Sequence, residues 1–474
     1  MNAAMRDLAA VAFSLALPWL AGALAVLALQ RRADDPKWLL SAGYGYLLGA
    51  FTATLILRAF SAAGIHWALP TIAATMLALI IGLGWPTRTL LAPSSLRRSL
   101  ALAARRFAAV PASGRALFWG CLALVAVRVA SLALEIAWRP LLPWDAWSQW
   151  GTKARVWTEF GWIVPFVSQQ EWLTPGDPMR FVDMHPGYPA TVPLLQVWTN
   201  LWLGRWDESL MNAPWIALLV SLALAFHAQV RRAGASIPRA MLFTYLLISL
   251  PFLDIHVALA GIADIFIGAS YGMAAIALWQ WARMRERSDL VLAVSMAIVC
   301  ASIKVEGMLW AFTLLPAAVV TLHRRIGLAL VAALAVAALA YLAFGPAELT
   351  LLGYVLRTSL TNVTLPLAQH LFVMDNWHLL WYATLAIVAL RHRQLLRPAL
   401  APMTTTMLGA FGLVFVVYFM STGAGGVDDE SLVNRMPLHL TPALMFYLAL
   451  LLQEAPPART TRSVSQLQAN ATDA

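Results

Sequence analysis

The sequence predicts an all-α polytopic membrane protein, and three observations predict it. Of its 474 residues 61% are hydrophobic and 12% charged, about half the charged share of an ordinary soluble domain. Apolar stretches near 20 residues recur along most of the chain, long enough at about 1.5 Å per residue to cross a hydrocarbon core of about 30 Å. Arginines gather in short segments between those stretches, the habit of cytoplasmic loops. The net charge of +10 is thereby explained by topology, with no nucleic-acid partner.

Taken in order, the spans read as 9–29, 38–60, 67–86, 116–138, 190–230, 238–256, 263–283, 289–303, 307–322, 326–345, 376–391, 402–421 and 438–453, about thirteen crossings. The stretch 190–230 is too long for one span. Gly204, Arg205, Asp207, Glu208 and Pro214 divide it into a short helix along the membrane and a true span. The basic segments 31–37, 88–115, 231–239, 283–287, 323–325 and 391–397 all fit the cytoplasmic side. That leaves 139–189, 257–262, 304–306, 346–375 and 422–437 on the exterior, the first being long and expected to carry short helices. Residues 1–115 read as an extra module of three spans with a basic linker (Arg88, Arg97, Arg98, Arg105, Arg106, Arg115), 116–453 as the core, and 454–474 as a polar disordered tail. The first apolar run ends in Arg31 and Arg32 without a small-residue cleavage site, so no cleaved signal is expected. Cys121 and Cys300 lie inside apolar runs, which argues against a disulfide framework.

Ionisable groups at membrane depth are costly and mark function by default. Asp145 follows the span 116–138 in "LLPWDAWSQWGTKARVW", among Trp144, Trp147, Trp150 and Trp157. Asp254 and Asp264 flank the turn in "PFLDIHVALAGIADIFIGASYG", and Lys304 and Glu306 occupy the turn in "CASIKVEGMLW". Arg435 and His439 open the last span, and His185 and Tyr188 stand in "MHPGYPATVP". Plainer readings stand beside each. The tryptophans suit an interfacial belt as well as a sugar platform. Asp145 suits a helix cap or an ion pair with Lys153 or Arg155; Lys153, eight residues on, shares its face if the stretch is helical. Glu306 can pair with Lys304. Asp254 and His256 read as loop polarity. Arg128, mid-span, has Glu135 as its same-face partner. Asp428, Asp429 and Glu430 read as a flexible solvated loop ahead of a metal cluster, with a mobile lid weaker still.

The order of these motifs resembles the GT-C glycosyltransferases: one aspartate in a long first exterior loop (Asp145), an "HPxYP" (His185 to Pro189), an aspartate heading a mid-chain span (Asp264), a "KxEG" turn (Lys304 to Gly307) and an Arg/His pair before the terminal span (Arg435, His439). The resemblance covers about 116–453 and is nearest to the bacterial family-39-like group, related to protein O-mannosyltransferases and lipid A aminoarabinose transferases. It implies a GT-C-like fold and an inverting transfer of a sugar from a polyprenyl-phosphate donor to an envelope glycan, lipid or protein. The site would face the periplasm of a bacterial inner membrane, with the lipid bilayer as a further partner. It makes Asp145 the acceptor-activating base and Asp264 a second carboxylate. It gives Lys304, Arg435, His439 and Lys153 to the donor phosphate, and Trp144, Trp147, His185, Tyr188 and Glu306 to the sugar or acceptor. Asp145 stands alone in "WDAW", with neither a DxD nor an Asp–Glu pair, so metal use is open: Asp145 and Asp264 are the ligands if Mg2+ or Mn2+ takes part. Two rivals remain, an O-antigen ligase or polymerase and a non-enzymatic lipid-linked-sugar transporter.

Overall fold

The computed structural model describes residues 3–30, 37–174, 176, 180–351 and 354–453. It is an all-α membrane protein with two small two-stranded sheets in its connections. The chain opens with α1 (Ala3–Leu29), α2 (Trp38–Ala62), α3 (Leu69–Thr87), α4 (Pro93–Ala108) and α5 (Ala112–Trp138). The long connection that follows carries a π-helical turn (Ala146–Gly151), α6 (Thr152–Phe160), α7 (Gln169–Trp172) and the parallel pair β1 (Phe166–Val167) and β2 (Phe181–Val182). Next come α8 (Thr191–Leu203), α9 (Ala213–Arg232), α10 (Ile237–Ile248), α11 (Pro251–Ala258), α12 (Asp264–Met284), α13 (Arg287–Ala301), α14 (Val305–Phe312), α15 (Leu315–Leu322) and α16 (Arg324–Phe344). A hairpin of β3 (Glu348–Leu351) and β4 (Tyr354–Arg357) leads to α17 (Thr364–Ala368), α18 (Leu380–Arg391), α19 (Ala401–Met420), α20 (Gly425–Asp428) and α21 (Arg435–Leu451).

Among the described residues nine helices are long and apolar enough to cross a membrane, counting Val305–Leu322 as one, or ten if α10 and α11 form one bent span. About thirteen were expected, and local chemistry accounts for the difference. The expected span 238–256 breaks by 62° between α10 and α11, because Pro251 has no N–H to continue α10 and opens a new helix instead. α13, α18 and α21 form where expected but hold 15, 12 and 17 residues, short for a span of about 20. The division of 190–230 is present. Gly204 caps α8 in the left-handed region (φ 66°), and the Asp207 carboxylate accepts from the N–H groups of Ser209 and Leu210 at 3.2 and 2.9 Å, starting the 3-10 turn before α9. The tail expected to be disordered, 454–474, lies outside the described residues.

Helices α12 and α21 form the centre. Every residue of α12 from Asp264 to Gln280, and of α21 from Met436 to Leu451, is buried, so their all-round apolar character reflects neighbours on every side. By contrast α16 buries Gly327 alone. The N-terminal helices share this core. Tyr44 of α2 donates to the Met273 carbonyl at 2.9 Å and accepts from Gln229 at 2.8 Å. α1 meets α2 backbone to backbone: a Cβ on Gly49 would fall on the carbonyl of Pro18, and one on Gly22 on the carbonyl of Gly45, the small-residue packing that replaces hydrophobic drive inside a membrane. Gly49→Leu is therefore expected to separate α1 from α2 and to cost at least the about 1–3 kcal/mol of core overpacking, read as a lowered unfolding temperature in a fixed detergent.

Candidate functional site

The polar residues singled out along the sequence meet at one end of the bundle, where α5 ends and α8, α12, α14 and α21 begin. Asp264 occupies the first turn of α12, where the helix dipole favours a carboxylate. Gly268 and Gly272 follow it at four-residue intervals on the same face. A Cβ on Gly268 would lie 2.9 Å from the Leu438 carbonyl, and one on Gly272 2.6 Å from Pro442, so α21 can close directly onto α12. That approach carries His439 Nε2 to 2.9 Å from Asp264 Oδ1. One turn earlier on α21, Arg435 lies 3.8 Å from Asp264 Oδ2 and ion-pairs with Asp145. Asp145 is brought in by packing of a similar kind. Gly261 takes φ 104° in the turn before α12 and leaves room for Ala146, whose Cβ would stand 2.6 Å from an added one.

From a third side, Lys304 caps α14 with Nζ 3.8 Å from Asp264 and 3.1 Å from Glu306. Gly307 explains the "KxEG" pattern: its Cα rests against the Cys300 carbonyl, so a Cβ would close the space between α13 and α14. The Tyr188 hydroxyl donates to Glu306 at 3.5 Å, and its ring lies 5.6 Å from the Lys304 ammonium. Two rings stack on it, Trp150 at 5.4 Å and His185 at 4.6 Å, both within 12° of parallel. Trp310 meets His439 edge-on at 5.6 Å.

The cluster is graded in depth. The Asp264 and His439 side chains are 2% and 1% exposed, those of Asp145 and Arg435 21% and 22%. The outer pair can therefore meet a ligand while the inner pair holds the scaffold. Burial pushes the Tyr188 phenol up to about 12, so it remains a donor at neutral pH. Burial works against the Lys304 ammonium, but the carboxylates of Asp264 and Glu306 prevail and hold it above its ordinary range. Glu306 Oε2 and His439 Nδ1 are buried with no hydrogen-bond partner among the described residues, so the cluster keeps unused polar capacity. It does not suit a divalent ion. The Arg435 guanidinium stands between Asp145 and Asp264, where a bridging metal would have to sit, and among the described residues no group of three His, Cys, Asp or Glu side chains is arranged to hold one.

Several expected partnerships are different in space. Lys153 does not meet Asp145 or the phosphate-side cations. Both it and Asp183 are almost fully buried, they ion-pair, and Lys153 donates to the His185 carbonyl at 2.8 Å. Burial lowers the Lys153 ammonium, with Asp183 opposing that shift. Asp183 was missed by sequence reasoning; its signal is its place two residues before His185 in the motif-bearing loop. Lys153→Met is expected to cost about 3–5 kcal/mol by stranding that carboxylate, and Lys153→Met with Asp183→Leu to recover much of it, in a double-mutant cycle of unfolding free energies. Trp144 and Trp147 sit outside the cluster, 62% and 45% exposed and edge to face with each other at 4.6 Å, while Trp157 donates to the Val164 carbonyl. Arg128 reaches Asp254 of α11 at 3.1 Å, and Glu135 pairs with Arg139 instead. Asp254 and His256 lie on a helix, not in a loop.

A second missed group buttresses Arg435 from behind. Trp377 Nε1 donates to Asn434 Oδ1 at 2.9 Å, which fixes the Asn434 amide nitrogen towards His370 Nδ1 at 2.8 Å. His370 Nδ1 is then an acceptor, and the proton belongs on Nε2, which lies 3.7 Å from Glu430. Residues 370–377 are thus tied to the residue preceding Arg435. No protein-family model matches the chain, and no curated protein or solved structure matches it.

Proposed function

We propose that this chain is a GT-C-like membrane glycosyltransferase that moves a sugar from a polyprenyl-phosphate donor to an envelope glycan, lipid or protein, at the periplasmic face of a bacterial inner membrane. One observation carries the reading: a partly exposed carboxylate, Asp145, is paired to a guanidinium, Arg435, that a buried carboxylate, Asp264, holds from behind. In this reading the short helices α13, α18 and α21 complete the roughly thirteen-helix bundle.

The chemistry follows from the charges. Both candidate phosphate ligands, Arg435 and Lys304, are already engaged by carboxylates. A donor phosphate arriving at Arg435 competes with Asp145 for the guanidinium and releases that carboxylate. Asp145 then takes the proton of an acceptor hydroxyl or amine as the acceptor atom attacks the sugar C1 from the face opposite the phosphate. The C1–O bond breaks, configuration inverts, and the departing polyprenyl phosphate leaves with the electron pair. Arg435 through two N–H groups, and Lys304 as a point charge, stabilise the charge that develops there. Asp264, buried and bonded to His439, orients both cations and does not meet the acceptor. The stack of Trp150, Tyr188 and His185 ends on the exposed His185 ring, an aromatic surface suited to a pyranose face.

The test is direct. The protein in lipid, supplied with polyprenyl-phosphate sugars, is expected to release polyprenyl phosphate with transfer of the sugar. Movement of the intact lipid-linked sugar across the vesicle membrane, with no cleavage of the C1–O bond, would overturn the reading in favour of a transporter.

A further inference from the structure

At the end of the bundle away from Asp145, the chain between α3 and α5 leaves the core. It forms α4, sixteen residues of "PSSLRRSLALAARRFA" with four arginines and no acid. Within the described residues α4 buries none of its own side chains. Leu96, Leu100 and Leu102 are 42%, 60% and 37% exposed. The helix is anchored at its C-terminal end: Phe107 meets Phe118 and Trp119 edge-on at 5.1 and 5.9 Å, and Arg115 donates to the Ala108 and Val110 carbonyls at 3.1 and 3.0 Å.

The sequence of α4 is amphipathic around its axis, with Leu102 the one leucine placed among the arginines. Leu96, Leu100, Ala103 and Phe107 recur at intervals of four, three and four residues and form one apolar stripe, while Arg97, Arg98, Arg105 and Arg106 take the flanks and the opposite face. Its position is fixed by its neighbours. Both α3 and α5 are membrane spans, joined to α4 through residues 88–92 and 109–111. At most about 3.5 Å per residue, those links keep the two ends of α4 within about 20 Å and 14 Å of the span ends. A helix about 24 Å long, tethered that closely at both ends, lies at the bilayer surface.

We propose that α4 is an interfacial helix that binds anionic phospholipid headgroups, its Leu96–Leu100–Phe107 stripe seated among the upper acyl chains and Arg97, Arg98 and Arg105 gripping the phosphates. The occupant is argued from charge and depth together. The polar face carries four arginines and no acid, the helix is tethered between two span ends, and its apolar stripe suits shallow insertion. This binding is independent of the glycosyl-transfer reading and stands or falls separately from it.

The test uses the full chain, with the buried Cys121 and Cys300 left in place. Nitroxides are attached through Leu100→Cys and, separately, Arg98→Cys, in vesicles of phosphatidylcholine with and without phosphatidylglycerol. The label at 100 is expected to be relaxed by dissolved oxygen and shielded from a water-soluble nickel chelate, and the label at 98 the reverse. Wild-type protein is expected to retain phosphatidylglycerol over phosphatidylcholine through purification, a preference that falls roughly fivefold for each of Arg97→Gln, Arg98→Gln and Arg105→Gln. Nickel access at position 100 equal to that at 98 would mark a water-facing helix suited to a protein partner and overturn the proposal. So would lipid retention unchanged in the triple variant. Because α4 buries none of its residues, the unfolding temperature of that variant should match wild type.

Discussion

Asp145→Asn is expected to lower the release of polyprenyl phosphate by about 10²–10⁴-fold, the range a positioned general base contributes. The carboxamide has the shape of the carboxylate but cannot take the acceptor proton. It also withdraws the charge that holds Arg435, whose second partner, Asp264, remains at 3.8 Å. The guanidinium is then less engaged before the donor arrives, so donor affinity is expected to hold or rise while turnover collapses. That split separates a lost base from a lost binding contact. Turnover equal to wild type would remove Asp145 from the role of base; a parallel loss of donor affinity would reassign it to binding.

An effect on stability as large as that at Lys153 is expected at Asp264. Its side chain is 2% exposed, with His439 at 2.9 Å and both Lys304 and Arg435 at 3.8 Å. Asp264→Asn keeps the volume and removes the charge that compensates the buried Lys304 and the partly buried Arg435. Breaking a buried pair in this way costs about 3–5 kcal/mol, because the surviving charges remain out of water. The measurement is the unfolding temperature in one detergent at neutral pH, where Lys304 is charged in the wild type. Adding Lys304→Met should restore part of the loss, since the stranded ammonium goes with it. An unfolding temperature unchanged by Asp264→Asn would mean that Glu306 and Asp145 alone neutralise the cations, and Asp264 would lose its role as the organising charge.

The polar cluster was legible in the sequence because charges are scarce in this chain, and those at predicted span ends stand out. Asp145, Asp264, Lys304, Glu306, Arg435, His439, His185 and Tyr188 were each visible as a costly group at the same expected depth, and the structure brings them together. Their partners were less legible. Reasoning from helical spacing sees only neighbours on the same helix, so Lys153 was matched to Asp145 and Arg128 to Glu135. The true partners, Asp183 and Asp254, come from other segments. Trp150 looked no different from Trp144 or Trp147, although it alone of the three is buried against Tyr188. Pro251 was a visible break inside an expected span. Apolar length alone predicts a straight crossing there, but the missing N–H breaks it. The Asn434–His370–Trp377 group left no signal at all, since neutral side chains in a connection carry no hydropathy cost.

The π-helical turn at Ala146–Gly151 gives the stretch after Asp145 a property that its side chains do not. A π turn holds one residue more than an α turn, here with the Thr152 hydroxyl reaching back five positions to the Trp147 carbonyl at 2.6 Å. If these six residues wound as α-helix with none removed, everything upstream of them would swing by about 100° relative to α6. Asp145 would then point away from Arg435 with every contact residue still present. The direction of this carboxylate is thus encoded in how one turn is wound, as a phase offset along one helix. Deleting Trp147 or Ser148 would let the turn close as α-helix in nearly the same phase, whereas rewinding it at full length turns the dial.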